Sequence, residues 1–253
     1  MDRGSRFAVC ALAGTICFIL LLRSAELHGQ DQSAPAPPHP LVARMTVLLD
    51  PGHGGSDPGA DLGNKVTEKD VTLSLATKLR TALAAQGFGV ELTRDAGATD
   101  AIPSGQRAAT ANRSHAMACI SLHATRSGSG VHVYTSALPP ATENQDTALL
   151  PVHWDTVQEQ FVNQSIRLAD AMKVAFGPAG LPVTIGAATV PPLDNMMCPA
   201  VAVEFAPLNT LNASGKGAED AGYQDSAVKA VTAALLKLRA SESAAPSSEK
   251  GTQ

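Results

Sequence analysis

The chain has 253 residues, 44% of them apolar, and a formal net charge of -4, which suits one globular domain with ends attached and supplies no basic field to hold a polyanion. Aromatic residues make up only 4%, so stacking platforms for single-stranded nucleic acid are scarce as well, and no nucleic-acid partner is expected. The core has to be aliphatic.

Residues 1–30 place Arg3 and Arg6 ahead of an uncharged apolar run from Phe7 to Leu22, the layout of a secretory signal. The run is shorter than the roughly 20 residues of a spanning helix, and no small-x-small cleavage site stands out near Ser24, Ala25 or Gly29. The segment is therefore read as a signal peptide or a signal anchor. Either way the domain is expected in the periplasm or outside the cell, with membrane anchoring left open. Residues 31–44, "DQSAPAPPHPLVAR", form a Pro/Ala-rich linker, and residues 241–253 a disordered tail of the same character.

Between them, in residues 45–240, strand and helix signals alternate. "MTVLLD" (45–50) is a short apolar run ended by Pro-Gly, hence a buried strand. In residues 67–87, Val71, Leu75, Leu79 and Leu83 recur at helical spacing, with Thr67 and Asp70 as a capping pair and Gly87 as the stop. A strand follows at 88–94, a helix at 104–115, a buried strand at 117–123 and an alternating strand at 130–136. Residues 157–177 read as one long helix, 181–190 as an edge strand, 199–205 as a third buried run and 223–241 as the closing helix. Helices alternating with continuous apolar strands predict an α/β fold, a mostly parallel or mixed sheet sandwiched between helices. Residues 137–156 fit neither period, carry Trp154, and are long for a connection inside a compact domain, which leaves two readings open: a lid, occluding segment or partner surface, or an ordinary surface insertion. Cys119 and Cys198 precede apolar runs; neither spacing nor count demands a bridge, and they are read as two buried thiols.

The ends of the three buried runs carry chemistry. His53 lies just past the first, His123 closes the second, and Glu204 sits near the end of the third. The carboxyl ends of parallel strands share one edge, where ligand sites form. Glu68, at the first turn of the helix after the glycine-rich "DPGHGG", returns to that edge. Each residue alone has an ordinary reading: a loop histidine, a carboxylate favoured by the helix dipole, a buried and paired carboxylate. Together they supply two imidazoles, one carboxylate and an open fourth position, the ligand set of a catalytic zinc site, plus a second carboxylate able to take a proton from water.

"DPGHGG", the Glu68 that heads a helix, "SLHA" and "PAVAVEF" resemble, in this order, the zinc-dependent N-acetylmuramoyl-L-alanine amidases of the amidase 3 type, over residues 46–239. "LTRD" (92–95) and "QRAATAN" (106–112) resemble family segments too. The resemblance implies a mixed sheet between helices, zinc held by His53, Glu68 and His123, and Glu204 as general base. It implies peptidoglycan as substrate, cut at the amide between N-acetylmuramic acid and L-alanine, in wall remodelling or daughter-cell separation. Two departures stand out: Thr125 where the family has Asn, and "FAPLN" where it has Gly-Phe after the glutamate. The rival readings are another zinc peptidase or deacetylase on wall substrates, and a wall-binding module without turnover. A monomer is expected, with the 137–156 insertion as the place for an activator protein. His115 and His132 are read as surface or dipole-compensating residues, while His153, beside Trp154, could present an extra side chain to the metal.

Overall fold

The computed structural model describes residues 45–141, 153–210 and 213–244. The export segment 1–30, the linker 31–44, most of the 137–156 insertion and residues 245–253 of the tail lie outside the described residues. No helix among the described residues is long and apolar enough to cross a membrane.

Six strands form the main sheet: β1 (Thr46–Pro51), β4 (Gly89–Leu92), β5 (Ala118–Ala124), β6 (Val131–Ser136), β7 (Val183–Ala188) and β8 (Ala200–Phe205). Their order is β4-β1-β5-β8-β6-β7. β4, β1, β5 and β8 pair parallel, β6 runs antiparallel to β8, and β7 pairs parallel with β6. The mixed, mostly parallel sheet expected from the alternation is present. The three continuous apolar runs occupy its centre, where both faces are covered, and the weak run at β7 lies at an edge. Two small hairpins were not legible in the sequence: β2 (Asp61–Gly63) with β3 (Val66–Thr67), and β9 (Leu208–Thr210) with β10 (Ala213–Lys216). The second is where "FAPLN" leads.

Helices α1 (Glu68–Ala85), α3 (Val162–Phe176) and α4 (Ala221–Ala244) all cover one face. Leu75 and Leu79 of α1, Leu168 and Met172 of α3, and Val231 and Leu235 of α4 pack there on Val47, Ile120, Leu122, Val201 and Val203. At about 1.5–3 kcal/mol per fully buried aliphatic side chain, this layer is the main source of stability. The other face is covered more thinly. α2 (Ser104–Ser114) and a short 3-10 turn at Leu193–Asn195 enclose a smaller cluster around Leu48, Cys119, Met196 and Ala200.

Two expectations are corrected. The helix read over 157–177 is a 3-10 turn at Val157–Gln160 followed by α3. Gln158 is fully buried; its amide donates to the carbonyls of Met196 and Cys198, and its oxygen accepts from Ser165 Oγ. These contacts tie the segment to the entry of β8, and the apolar period alone does not encode them. Cys119 and Cys198 are not free thiols but a disulfide, with Cα atoms 6.1 Å apart. The β5–β8 register pairs Cys119 with Ala200, and Cys198, two residues before Ala200, falls on the same face. The bond spans 79 residues, so Cys119→Ala/Cys198→Ala is expected to cost about 2–4 kcal/mol in denaturant unfolding. A loss below about 0.5 kcal/mol would show that the bridge contributes little.

Candidate metal centre and catalytic edge

His53 occupies the left-handed region at φ 59, two residues past the end of β1, and the turn that carries it is pinned from outside. Asp50, buried at the end of β1, accepts from Arg107 Nη1 at 2.7 Å, Thr93 Oγ1 at 2.5 Å and Ser121 Oγ at 2.9 Å. Arg107 also donates to the carbonyls of Pro51 and His53. Arg94, its guanidinium pKa lowered by burial, donates to the carbonyls of Pro51, Gly52 and Lys69 and to Thr72. Two buried arginines thus hold the backbone of "DPGHGG", both donating to the Pro51 carbonyl. The segments "LTRD" and "QRAATAN" supply them.

Helix α1 brings Glu68 to the same edge. Its Oε1 lies 3.0 Å from His123 Nδ1 and accepts from the Ala124 amide; its Oε2 lies 3.1 Å from His53 Nε2 and accepts from the Ala60 amide. Burial opposes ionisation of this carboxyl, but hydrogen bonds from His123 and His53 outweigh it and hold the pKa well below the usual carboxylate range. His53 is pushed up to about 9, first by its hydrogen bond with Glu68 and, against a partial burial, by Asp57. Asp57 Oδ2 sits 2.9 Å from His53 Nδ1, the orienting carboxylate that metal-binding histidines commonly have. Its own pKa is lowered chiefly by that bond.

The glycines serve this packing. A Cβ on Gly52 would stand 2.7 Å from His123 Cε1, and one on Gly59 would stand 2.6 Å from His53 Cδ2 and 2.8 Å from Glu68 Oε2. The space kept clear is that of the imidazoles and Glu68 themselves.

One ligand atom from each of His53, Glu68 and His123 lies within 4.8 Å of the others. Two imidazole nitrogens and a carboxylate oxygen, with outer partners on His53 and Ser121 Oγ 3.3 Å from His123 Nε2, form a donor set that fits a divalent ion of the zinc type. Without a metal, the His53–Glu68 pair stabilises the fold only while His53 is protonated and Glu68 ionised. Above the ordinary carboxyl value of 4.5 and below the ordinary imidazole value of 6.5 that contribution is complete; it fades as pH rises through about 9. Melting of the metal-stripped chain is therefore expected to drop between pH 6.5 and 9, more than in His53→Ala. Parallel pH profiles for the two proteins would contradict this.

Glu204 lies on β8 in register with His123, hence on the same face. It is half-buried, and among the described residues it is in no ion pair, unlike the buried and paired carboxylate of the ordinary reading. A cavity of about 180 Å³ opens over His53 and His123, walled by Ser104 and Arg107 of α2 and by Pro191 and Pro192. His115 is the exposed residue that ends α2. His153 is exposed, pairs with Asp155, and is not part of the metal-competent cluster. Trp154 beside it lines a separate groove along α2 with Ala108 and Met197. Thr125 hydrogen-bonds Ser127. Asp50, Asp57, Arg94 and Arg107 do not stand out individually in the sequence; an aspartate four residues after the key histidine is the one local signal.

Residues 47–237 match the family described as N-acetylmuramoyl-L-alanine amidase. The chain is 35% identical over 118 residues to the sporulation-specific N-acetylmuramoyl-L-alanine amidase of Bacillus subtilis, an alignment covering 45% of this chain and 44% of that protein. It is 37% identical over 105 residues to the N-acetylmuramoyl-L-alanine amidase AmiC of Neisseria meningitidis, covering 40% of this chain and 25% of that one. These matches span less than half the length of either relative. In fold, the chain is similar to the N-acetylmuramoyl-L-alanine amidase AmiC2 of Nostoc punctiforme, with a TM-score of 0.57, 22% identity, and coverage of 78% of this chain and 97% of that one. The catalytic domain of CwlV from Bacillus (Paenibacillus) polymyxa gives 0.56 at 22% identity, covering 77% and 98%.

Proposed function

The chain belongs to the N-acetylmuramoyl-L-alanine amidase family of the Amidase_3 type, and from that premise we propose that it hydrolyses the amide between the lactyl group of N-acetylmuramic acid and L-alanine in peptidoglycan, using zinc. The observation that carries the reading is the convergence of His53, Glu68 and His123 within 4.8 Å, with Glu204 on the neighbouring strand in register with His123.

Zinc bound by those three residues would supply Lewis acidity toward the scissile carbonyl and make water a competent nucleophile near neutral pH. The chain does the rest. Asp57 accepts from His53 Nδ1 and thereby turns Nε2 toward Glu68, while Ser121, itself held by Asp50, meets His123 Nε2. Glu204 accepts the proton of the attacking water and delivers it to the nitrogen of alanine as the carbon–nitrogen bond breaks, leaving a lactyl carboxylate and a free α-amine.

The reading includes export. The apolar leader supports it, and so does the Cys119–Cys198 disulfide, since such bonds persist in oxidising compartments. The test is mass analysis of fragments released from purified peptidoglycan. Intact stem peptides beginning with a free L-alanine amine are expected. Release of terminal D-alanine, or of acetate, would replace the amidase by a carboxypeptidase or a deacetylase, and intact polymer would leave only wall binding.

A further inference from the structure

The register of β5, β8, β6 and β7 lines up one side chain from each strand at the catalytic edge. His123 pairs with Glu204, Glu204 with His132, and His132 with Thr184. Residues in register on neighbouring strands project from the same face with Cβ atoms about 5 Å apart. Glu204 thus has an imidazole on each side, one in the metal-competent cluster and one outside it.

His132, a part-exposed residue of its alternating strand as the sequence suggests, has neighbours that position its ring. Thr184 Oγ1 lies 2.9 Å from its Nδ1. The Tyr134 ring, two residues along β6, lies within 14° of parallel to it at 6.4 Å between centroids. At Gly128 a Cβ would stand 3.5 Å from its Nε2. These neighbours fix the ring on a half-buried floor, and His132 and Glu204 form no ion pair with each other or with any described residue, so both remain available to a third group. On the β1 side the edge is walled by α2 and Pro191. Toward β7, where Thr184 is exposed and Gly186 is only part-buried, α1, α3 and α4 all lie on the opposite face.

We propose that His132 is a substrate-contacting residue, with Nδ1 set by Thr184 and Nε2 donating to a substrate oxygen next to the scissile amide, on the side of Glu204 away from the metal cluster. This rests on the amide-hydrolase reading above. A substrate whose amide lies over His123 and Glu204 extends across β6 and β7, and both its sugar and its peptide carry acceptor oxygens.

The test compares zinc-loaded wild type with His132→Ala, His132→Gln and Thr184→Val on an N-acetylmuramoyl-L-alanyl peptide and on the matching lactoyl peptide without the sugar. His132→Ala is expected to lower kcat/KM about tenfold at unchanged zinc content and melting temperature. His132→Gln, which keeps a donor, should recover most of the loss, and Thr184→Val should fall between. A loss confined to the sugar-bearing substrate assigns the oxygen to the glycan; a loss on both assigns it to the peptide. Wild-type kinetics for His132→Ala on both substrates would overturn the proposal. If wild type itself turns over neither substrate, the fault lies with the reaction proposed above, and co-sedimentation with insoluble peptidoglycan decides: weaker sedimentation of His132→Ala supports the contact, and equal sedimentation overturns it.

Discussion

Glu204→Gln is expected to lower cleavage of the muramoyl–alanine amide by about 10²–10⁴-fold while metal content and melting temperature stay at wild-type levels. The substitution keeps shape and hydrogen-bonding capacity but cannot accept a proton. Glu204 lies outside the cluster whose ligand atoms converge within 4.8 Å, and among the described residues it has no ion-pair partner to lose. A fold-stabilising role would show as a drop in melting temperature instead. His53→Ala is the useful contrast, because it should lose metal and turnover together. Retention of more than a tenth of wild-type activity by Glu204→Gln would remove the residue from the role of base.

The second large effect lies beneath the site. Asp50→Ala is expected to destabilise the fold by about 3–5 kcal/mol, because it leaves the buried Arg107 guanidinium without its carboxylate. Asp50 also accepts from Thr93 and Ser121, so one change unties β1, the turn after β4, and β5. Arg107 donates to the His53 carbonyl, and His53 is held at positive φ. Metal affinity should therefore fall even where the variant remains folded. Denaturant unfolding and zinc titration of the same preparation read both effects. A loss below 1 kcal/mol with unaltered zinc binding would mean that the turn does not depend on the Asp50–Arg107 pair.

The sheet and the ends of its central strands were legible because they follow from local pattern. Three apolar runs of strand length, each with His or Glu at or near its carboxyl end, need only the rule that parallel strands share an edge. Glu68 was legible as the first residue of a helix that starts from that edge. What escaped depends on register or on partners far apart in the chain. The Cys119–Cys198 bond needs β5 and β8 to be neighbours with Cys119 opposite Ala200. Asp50 reads as the polar end of an apolar run until Arg107, 57 residues away, is seen to bind it. His132 looks like an outward residue of an alternating strand, and only the antiparallel pairing of β6 with β8 sets it beside Glu204. Gln158 sits in a helical period, yet its amide serves the backbone entering β8.

The most direct test is cleavage of purified peptidoglycan by the chain after exhaustive chelation, with and without zinc returned in measured amounts. The stripped chain is expected to release no stem peptide, and release is expected to recover with one equivalent of zinc in wild type but not in His53→Ala. Undiminished release of L-alanine-terminated peptides by the fully stripped chain would contradict a metal-dependent amidase.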